Sequence, residues 1–151
     1  MDLLEQFIIK AKSATYVGGG SHVAPSRTNS HDLVFEEGTL RYLDSYYGAT
    51  DFVGQEAVWQ GNTPLWAMNY YGRILEPEHI DAGRAATVIK AALSSLYKEG
   101  RFLGAFNFAV DGYRYEDRNT GSYKQFVGVE KIFVDEMPVY QLDYHGGLIV
   151  P

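Results

Sequence analysis

The chain has 151 residues, with 13 Lys+Arg against 19 Asp+Glu and a formal charge of −6. At 46% hydrophobic and 21% charged it reads as one folded domain, residues 1–151, neither disordered nor fibrous. The absence of cysteine excludes disulfides, thiolate-held metals and thiol catalysis, and the acidic balance argues against direct nucleic-acid binding, which needs a basic surface.

The N-terminus opens on Asp2 and Glu5 within short apolar runs, without the basic start and apolar stretch of a secretory signal. No segment approaches the ~20 apolar residues of a membrane span, so a cytoplasmic protein with no membrane partner is expected. Leu3, Leu4, Phe7, Ile8 and Ala11 fall at helical spacing and predict a helix over 2–12, capped by Asp2. A polar, glycine-rich stretch follows from Ser13 to Ser30. Runs rich in Tyr, Trp, Phe and Val then predict strands over 32–36, 39–47, 51–60 and 64–72. A second helix is expected from about Pro77 to Tyr97, with Ile80, Ala85, Val88, Ala92 and Leu96 as its apolar stripe and Gly100 as its stop. Strand patterns return over 102–110, 113–117, 123–134 and 137–149, with Asp111-Gly112 as a tight turn.

Residues 52–75 and 126–149 align without a gap. Phe52/Phe126, Val53/Val127, Gly54/Gly128, Glu56/Glu130, Pro64/Pro138, Tyr70/Tyr144 and Gly72/Gly146 are identical, and a slip of one residue pairs Asp44 with Asp117. Together with a helix at the head of each half, this predicts an internally duplicated α+β domain. Each pseudo-repeat, about 1–75 and 76–151, would be a helix plus four antiparallel strands. One helix per half covers one sheet face, so the sheet or sheets must pack, close or pair to hide the remainder.

Strand parity puts Trp66, Met68 and Tyr70 on one face, matched by Tyr140, Leu142 and Tyr144. It also puts Glu56 and Glu130 between apolar neighbours. Such a glutamate needs a partner or a proton. The structural reading pairs each with Arg41 or Arg114 on the neighbouring strand. The functional reading makes them two carboxylates lining a central pocket, able to divide acid and base work. The long stretch after the first helix, with Gly18-Gly19-Gly20 and Pro25 through Asp32, is rich in donors. It would fold over the sheet to hold a polar or anionic ligand with Arg27 as anchor, or else form a mobile surface connection.

Other motifs carry little. Gly18-Gly19-Gly20 follows a helix and lacks phosphate-loop spacing. Ser30-His31-Asp32 are adjacent and cannot form a relay. The histidines His22, His31, His79 and His145 lack metal-ligand spacing, so no metal and no cofactor is implied. His145, in Tyr144-His145-Gly146-Gly147, stands where the first half has Tyr71.

Several stretches together resemble a bacterial family of unknown function. They are Pro25-Ser26-Arg27, Ser30-His31-Asp32, Tyr42 through Tyr46, Gly54 through Trp59, Pro64 through Arg73, and Tyr144 through Gly147. Members of that family look like the C-terminal domain of XRE-type helix-turn-helix regulators and also occur alone. The resemblance implies a ligand-sensing or oligomerising domain, here without its DNA-binding head, and supplies no activity. The leading expectation is a small-molecule-binding or sensor module lined by Arg27, His31, Asp32, Glu56, Trp66, Arg73, Glu130 and His145. The alternatives are a hydrolase or isomerase using Glu56, Glu130 or His145 as acid and base, and a dimerisation or protein-interaction domain, with a homodimer as its simplest form.

Overall fold

A computed structural model describes residues Met1–Pro151. Helix α1 (Leu3–Lys12) starts where the Asp2 carboxylate accepts from the Leu4 N–H at 2.8 Å, and it buries Phe7, Ile8, Ile9, Ala11 and Lys12. Helix α2 (Ala82–Lys98) buries Ala85, Val88, Ile89, Ala92, Leu93 and Leu96, a 3.6-residue stripe. It begins later than Pro77 predicts. Asp81 is the residue whose side chain accepts from an open N–H of the first turn, that of Arg84, at 2.8 Å, and residues 77–79 form a separate turn.

The strands are β1 (Ser21–Val23), β2 (His31–Glu37), β3 (Leu40–Gly48), β4 (Phe52–Gln60), β5 (Thr63–Ile74), β6 (Phe106–Val110), β7 (Tyr113–Ser122), β8 (Gln125–Val134) and β9 (Met137–Leu148). They form one antiparallel sheet in the order β1-β2-β3-β4-β5-β9-β8-β7-β6. Successive hairpins lay down β2 to β5. The chain then crosses through α2 to the far edge and returns by hairpins to the middle, where β9 pairs with β5 and Tyr70 lies opposite Tyr144. The α+β class and the antiparallel sheet with two helices follow the sequence pattern; the sheet is single. The stretch after α1 is more ordered than its composition suggests. Ser13–Val17 continues α1 as a wider turn, and β1 adds an edge strand to β2. The strand expected from 102 begins at Phe106, with Phe102 buried in the preceding connection.

Both helices pack on the sheet face carrying Tyr42, Val58, Trp66, Met68, Tyr70, Tyr115, Ile132, Tyr140, Leu142 and Tyr144. No helix covers the other face, which is buried at Asp32 and Ser45, under the Ser26–Ser30 segment, and exposes Val53, Tyr71 and Val127. Trp66 is fully buried. Its indole N–H donates to the Tyr123 carbonyl at 2.9 Å, and its ring packs on Phe102 and Phe126.

Two glycines determine how tyrosines cross this sheet. Gly54 on β4 lies opposite Tyr70 on β5, and Gly128 on β8 lies opposite Tyr144 on β9. With no side chain in the way, each phenol lies over the glycine backbone and reaches an aspartate on the strand beyond, two strand spacings (~4.8 Å each) from its own. Tyr70 donates to Asp44 on β3, and Tyr144 donates to Asp117 on β7 at 2.7 Å. A methyl group at Gly54 would stand 2.5 Å from the Tyr70 hydroxyl and 2.6 Å from Tyr46 Cβ; at Gly128 it would overlap the Tyr144 ring. Gly54→Ala and Gly128→Ala are therefore expected to destabilise the fold by about 1–3 kcal/mol in urea unfolding, by overpacking and by displacing the phenols. An unchanged unfolding midpoint for both would contradict this account of the glycines.

Candidate functional site

The two crossings deliver four carboxylates to one place. Asp44 lies opposite Glu56 in the β3–β4 register, and Asp117 lies opposite Glu130 in the β7–β8 register. All four are buried and line a cavity of about 70 Å³ between the sheet and the helices. That volume suits a few water-sized groups or a small ligand. Lys12 and Tyr16 close it from α1 and its extension, and Leu93 and Tyr97 from α2. Phe52, Met68, Phe102 and Leu142 supply apolar walls.

Lys12 is the one cationic side chain of the lining. Its Nζ lies 3.0 Å from the Glu56 carboxylate and 3.2 Å from Met68 Sδ, and it stands over the Phe102 and Trp66 rings at 5.3 and 5.9 Å. Tyr42 donates to the same glutamate. The sequence reading of an arginine partner fails on parity. Arg41 lies opposite Trp59, on the other sheet face from Tyr42 and Asp44, and its nearest carboxylate is Glu36 at 3.6 Å. Arg114 likewise pairs with Glu116, at 3.1 Å.

The other three carboxylates have no salt bridge. Burial, with the Glu56 charge opposite, pushes Asp44 up to about 7 despite the bond from Tyr70. Burial, with Asp117 beside it, pushes Glu130 up to about 8. Asp117 is also raised by burial, against the bonds from Tyr144 and Asn119. Burial and the neighbouring carboxylates raise Tyr42, Tyr70, Tyr97, Tyr115 and Tyr144, which keeps these phenols as donors at neutral pH. The cavity therefore holds carboxyl groups displaced upward toward neutral pH, set among apolar walls.

The eight residues singled out from sequence divide among four places. Glu56 and Glu130 line the cavity. Trp66 lies under its floor, against Phe102 and Phe126. Arg27, His31 and Asp32 lie where β2 begins and β3 ends, Arg27 and Asp32 on one sheet face and His31 on the other. There Asp32 accepts from Ser30 and Ser45, both at 2.7 Å, and from the Ser26 N–H at 3.0 Å. Burial alone would raise Asp32, but these bonds outweigh it and hold it at about 2. Arg27 donates to Ser45 Oγ at 2.8 Å and to the Ser45 carbonyl at 3.1 Å, and its guanidinium lies over the Tyr47 ring. The His31 ring stands 5.0 Å from that of Tyr46. Arg73 and His145 are on the uncovered face, Arg73 at 3.5 Å from Asp143 and His145 at 3.2 Å from Asn69. Sequence reasoning missed Lys12, Asp44, Asp117 and the crossing tyrosines as site residues. The Asp44/Asp117 and Tyr70/Tyr144 matches carried the signal for four of them, and Lys12 lies one helical turn beyond Ile8 on the buried stripe of α1.

A family model described as a domain of unknown function (DUF5680) matches residues 44–149, more than half of the chain and all four cavity carboxylates. No curated protein and no solved structure matches the chain.

Two predictions follow from the electrostatics. Asp44 and Glu130 have folded pKa values above their ordinary range near 4. Between about pH 4 and pH 7–8 the folded state thus binds more protons than the unfolded state, and their effect on stability worsens as pH rises. Unfolding free energy should increase as pH falls from 8 to 5, by at most ~1.4 kcal/mol per unit for each group, and Glu130→Gln should flatten the slope. A flat or opposite wild-type trend in denaturant melts would contradict this. Removing the one buried cation by Lys12→Met should cost about 3–5 kcal/mol at pH 7, because Glu56 is left buried without its ion pair. Lys10→Met, whose pair with Glu37 is exposed, should cost about 1 kcal/mol or less by the same assay; equal losses would contradict the assignment of Lys12.

Proposed function

From a chain that belongs to the DUF5680 family, we propose a small-molecule-binding module whose site is the carboxylate- and tyrosine-lined cavity under α1 and α2. One observation carries the reading: four buried carboxylates converge on one cavity that supplies a single lysine. Unpaired buried charge destabilises a fold, so a concave site that concentrates it has a chemical use as its natural explanation. The sequence resemblance to regulator C-terminal domains supports a sensor role in a bacterial cytoplasm, in which occupancy would be passed on to a DNA-binding partner. The like registers Asp44–Glu56 and Asp117–Glu130 join the sequence matches in support of a duplicated origin.

A second reading is an enzyme that uses the same groups for proton transfer. Asp44 and Glu130, brought to about 7 and 8, lie in the range where a carboxyl group serves as acid or base at neutral pH. His145, on the uncovered face, belongs to neither version.

Native mass spectrometry of gently purified protein, with the denatured mass as control, tests the binding reading. A reproducible non-covalent mass that is lost from Glu130→Gln and kept by His145→Ala is the expected result. A retained mass indifferent to Glu130→Gln would move the site away from the cavity. Under the enzyme reading, any turnover found for the retained molecule should fall at least 100-fold in Glu130→Gln or Asp44→Asn.

A further inference from the structure

The cavity already displays how it holds an ammonium group. Lys12 Nζ is gripped by the Glu56 carboxylate and by Met68 Sδ, with the Phe102 and Trp66 rings beside it. In the β4–β5 register Glu56 lies opposite Met68; in the β8–β9 register Glu130 lies opposite Leu142, and both line the same cavity. This second half presents a carboxylate, an apolar neighbour and the Tyr144 phenol, but no lysine or arginine lines it. From α2 it meets Leu93 and Tyr97, neither of them cationic. Arg101, whose charge reaches Asp117, is tied to Glu99 at 2.8 Å and to the Leu103 carbonyl at 2.8 Å.

Glu130 is only 9% exposed and has no salt bridge. The fully buried Tyr115 hydroxyl stands beside it as a donor, in the place that Tyr42 takes beside Glu56. What Glu130 lacks is a cation in contact: Lys12 Nζ sits on Glu56, and only its more distant charge reaches Glu130 and Asp117. A buried carboxyl group with no ion pair, aimed into a cavity, points to an occupant that brings positive charge and N–H donors and displaces to solvent the proton that Glu130 otherwise keeps. The carboxylates line one cavity, but no three of them lie close enough together to share a metal ion, and the walls of Phe52, Phe102, Leu93 and Leu142 suit hydrocarbon. A polar or anionic ligand anchored by Arg27 is the sequence expectation; the charge of this cavity favours a cation over an anion.

We infer that the ligand is a small organic ammonium ion, a primary amine on a short apolar stem, with its charged end on Glu130 and Asp117 and its stem along Leu142, Leu93 and Phe102. This rests on the cavity being a binding site, as proposed above, and adds the class of its ligand. In the complex the ammonium would mirror the contacts that Lys12 makes with Glu56.

The test is a titration followed by the methyl resonance of Met68, which lines the cavity and is one of three methionines. The probes are n-butylamine, 1-butanol and sodium butyrate, which differ in charge on one stem. The expected result is a saturable shift of the Met68 signal with butylamine, at least tenfold weaker with butanol and absent with butyrate. Glu130→Gln, a neutral substitution at a side chain with no ion pair to break, should weaken butylamine at least tenfold. A melt at pH 5, where Glu130 is protonated, checks that this variant is folded; Glu130→Asp, which keeps the charge, should recover part of the affinity. If butanol or butyrate binds at this methyl as well as butylamine does, the cavity is a binding site and the amine assignment is overturned. If all three leave Met68 unmoved up to solubility, the amine assignment and the cavity as a small-molecule site both fall. Butylamine binding that ignores Glu130→Gln overturns the placement on Glu130.

Discussion

The structure depends on one unusual constraint: four carboxylates are buried between a single sheet and two helices, with one lysine among them. Each must be hydrogen-bonded, paired or protonated, and the cavity uses all three solutions. Glu56 takes Lys12 and Tyr42; Asp44 and Asp117 take phenols that cross a neighbouring strand; Glu130, with the Tyr115 phenol beside it and no cation in contact, keeps a proton. Sheet register makes the arrangement possible. Asp44–Glu56 and Asp117–Glu130 are directly opposed pairs, so their like charges must be managed locally.

The fold explains why this array persists. The covered face is a continuous apolar layer from Tyr42 through Trp66 to Tyr140, and burying it against α1 and α2 supplies the main stabilisation. The carboxylates are embedded in that layer rather than on its rim. The bare backbones of Gly54 and Gly128 let Tyr70 and Tyr144 span the sheet. Position along the chain, packing and chemistry meet at these two glycines, because a side chain there would separate a phenol from its aspartate.

Much of this is legible in the sequence, and the remainder fails for physical reasons. Period-two alternation places Glu56 and Glu130 on the buried face, and the apolar stripe of α2 is read correctly at Ala85, Val88, Ala92 and Leu96. The start of α2 is missed because Pro77 is as good a first-turn residue as Asp81 is a cap, and only the Asp81 contact with Arg84 N–H decides between them. The partner of Glu56 is missed because Arg41 is close in sequence while Lys12 comes from a helix whose placement no local pattern encodes. Arg27 and Asp32 are legible as a polar cluster. That their donors and acceptors meet one another and Ser45 depends on how β2 and β3 pair. His145 falls on the uncovered face by the same parity that buries Tyr144.

The central claim is that the cavity keeps carboxyl groups protonated well above their ordinary range. Carbon-13 NMR of the side-chain carboxyl carbons, titrated with pH and assigned with Asp44→Asn and Glu130→Gln, measures this directly. The account predicts midpoints displaced upward to about 7 for Asp44 and about 8 for Glu130. Midpoints for both near 4, the ordinary carboxylate value, would contradict it.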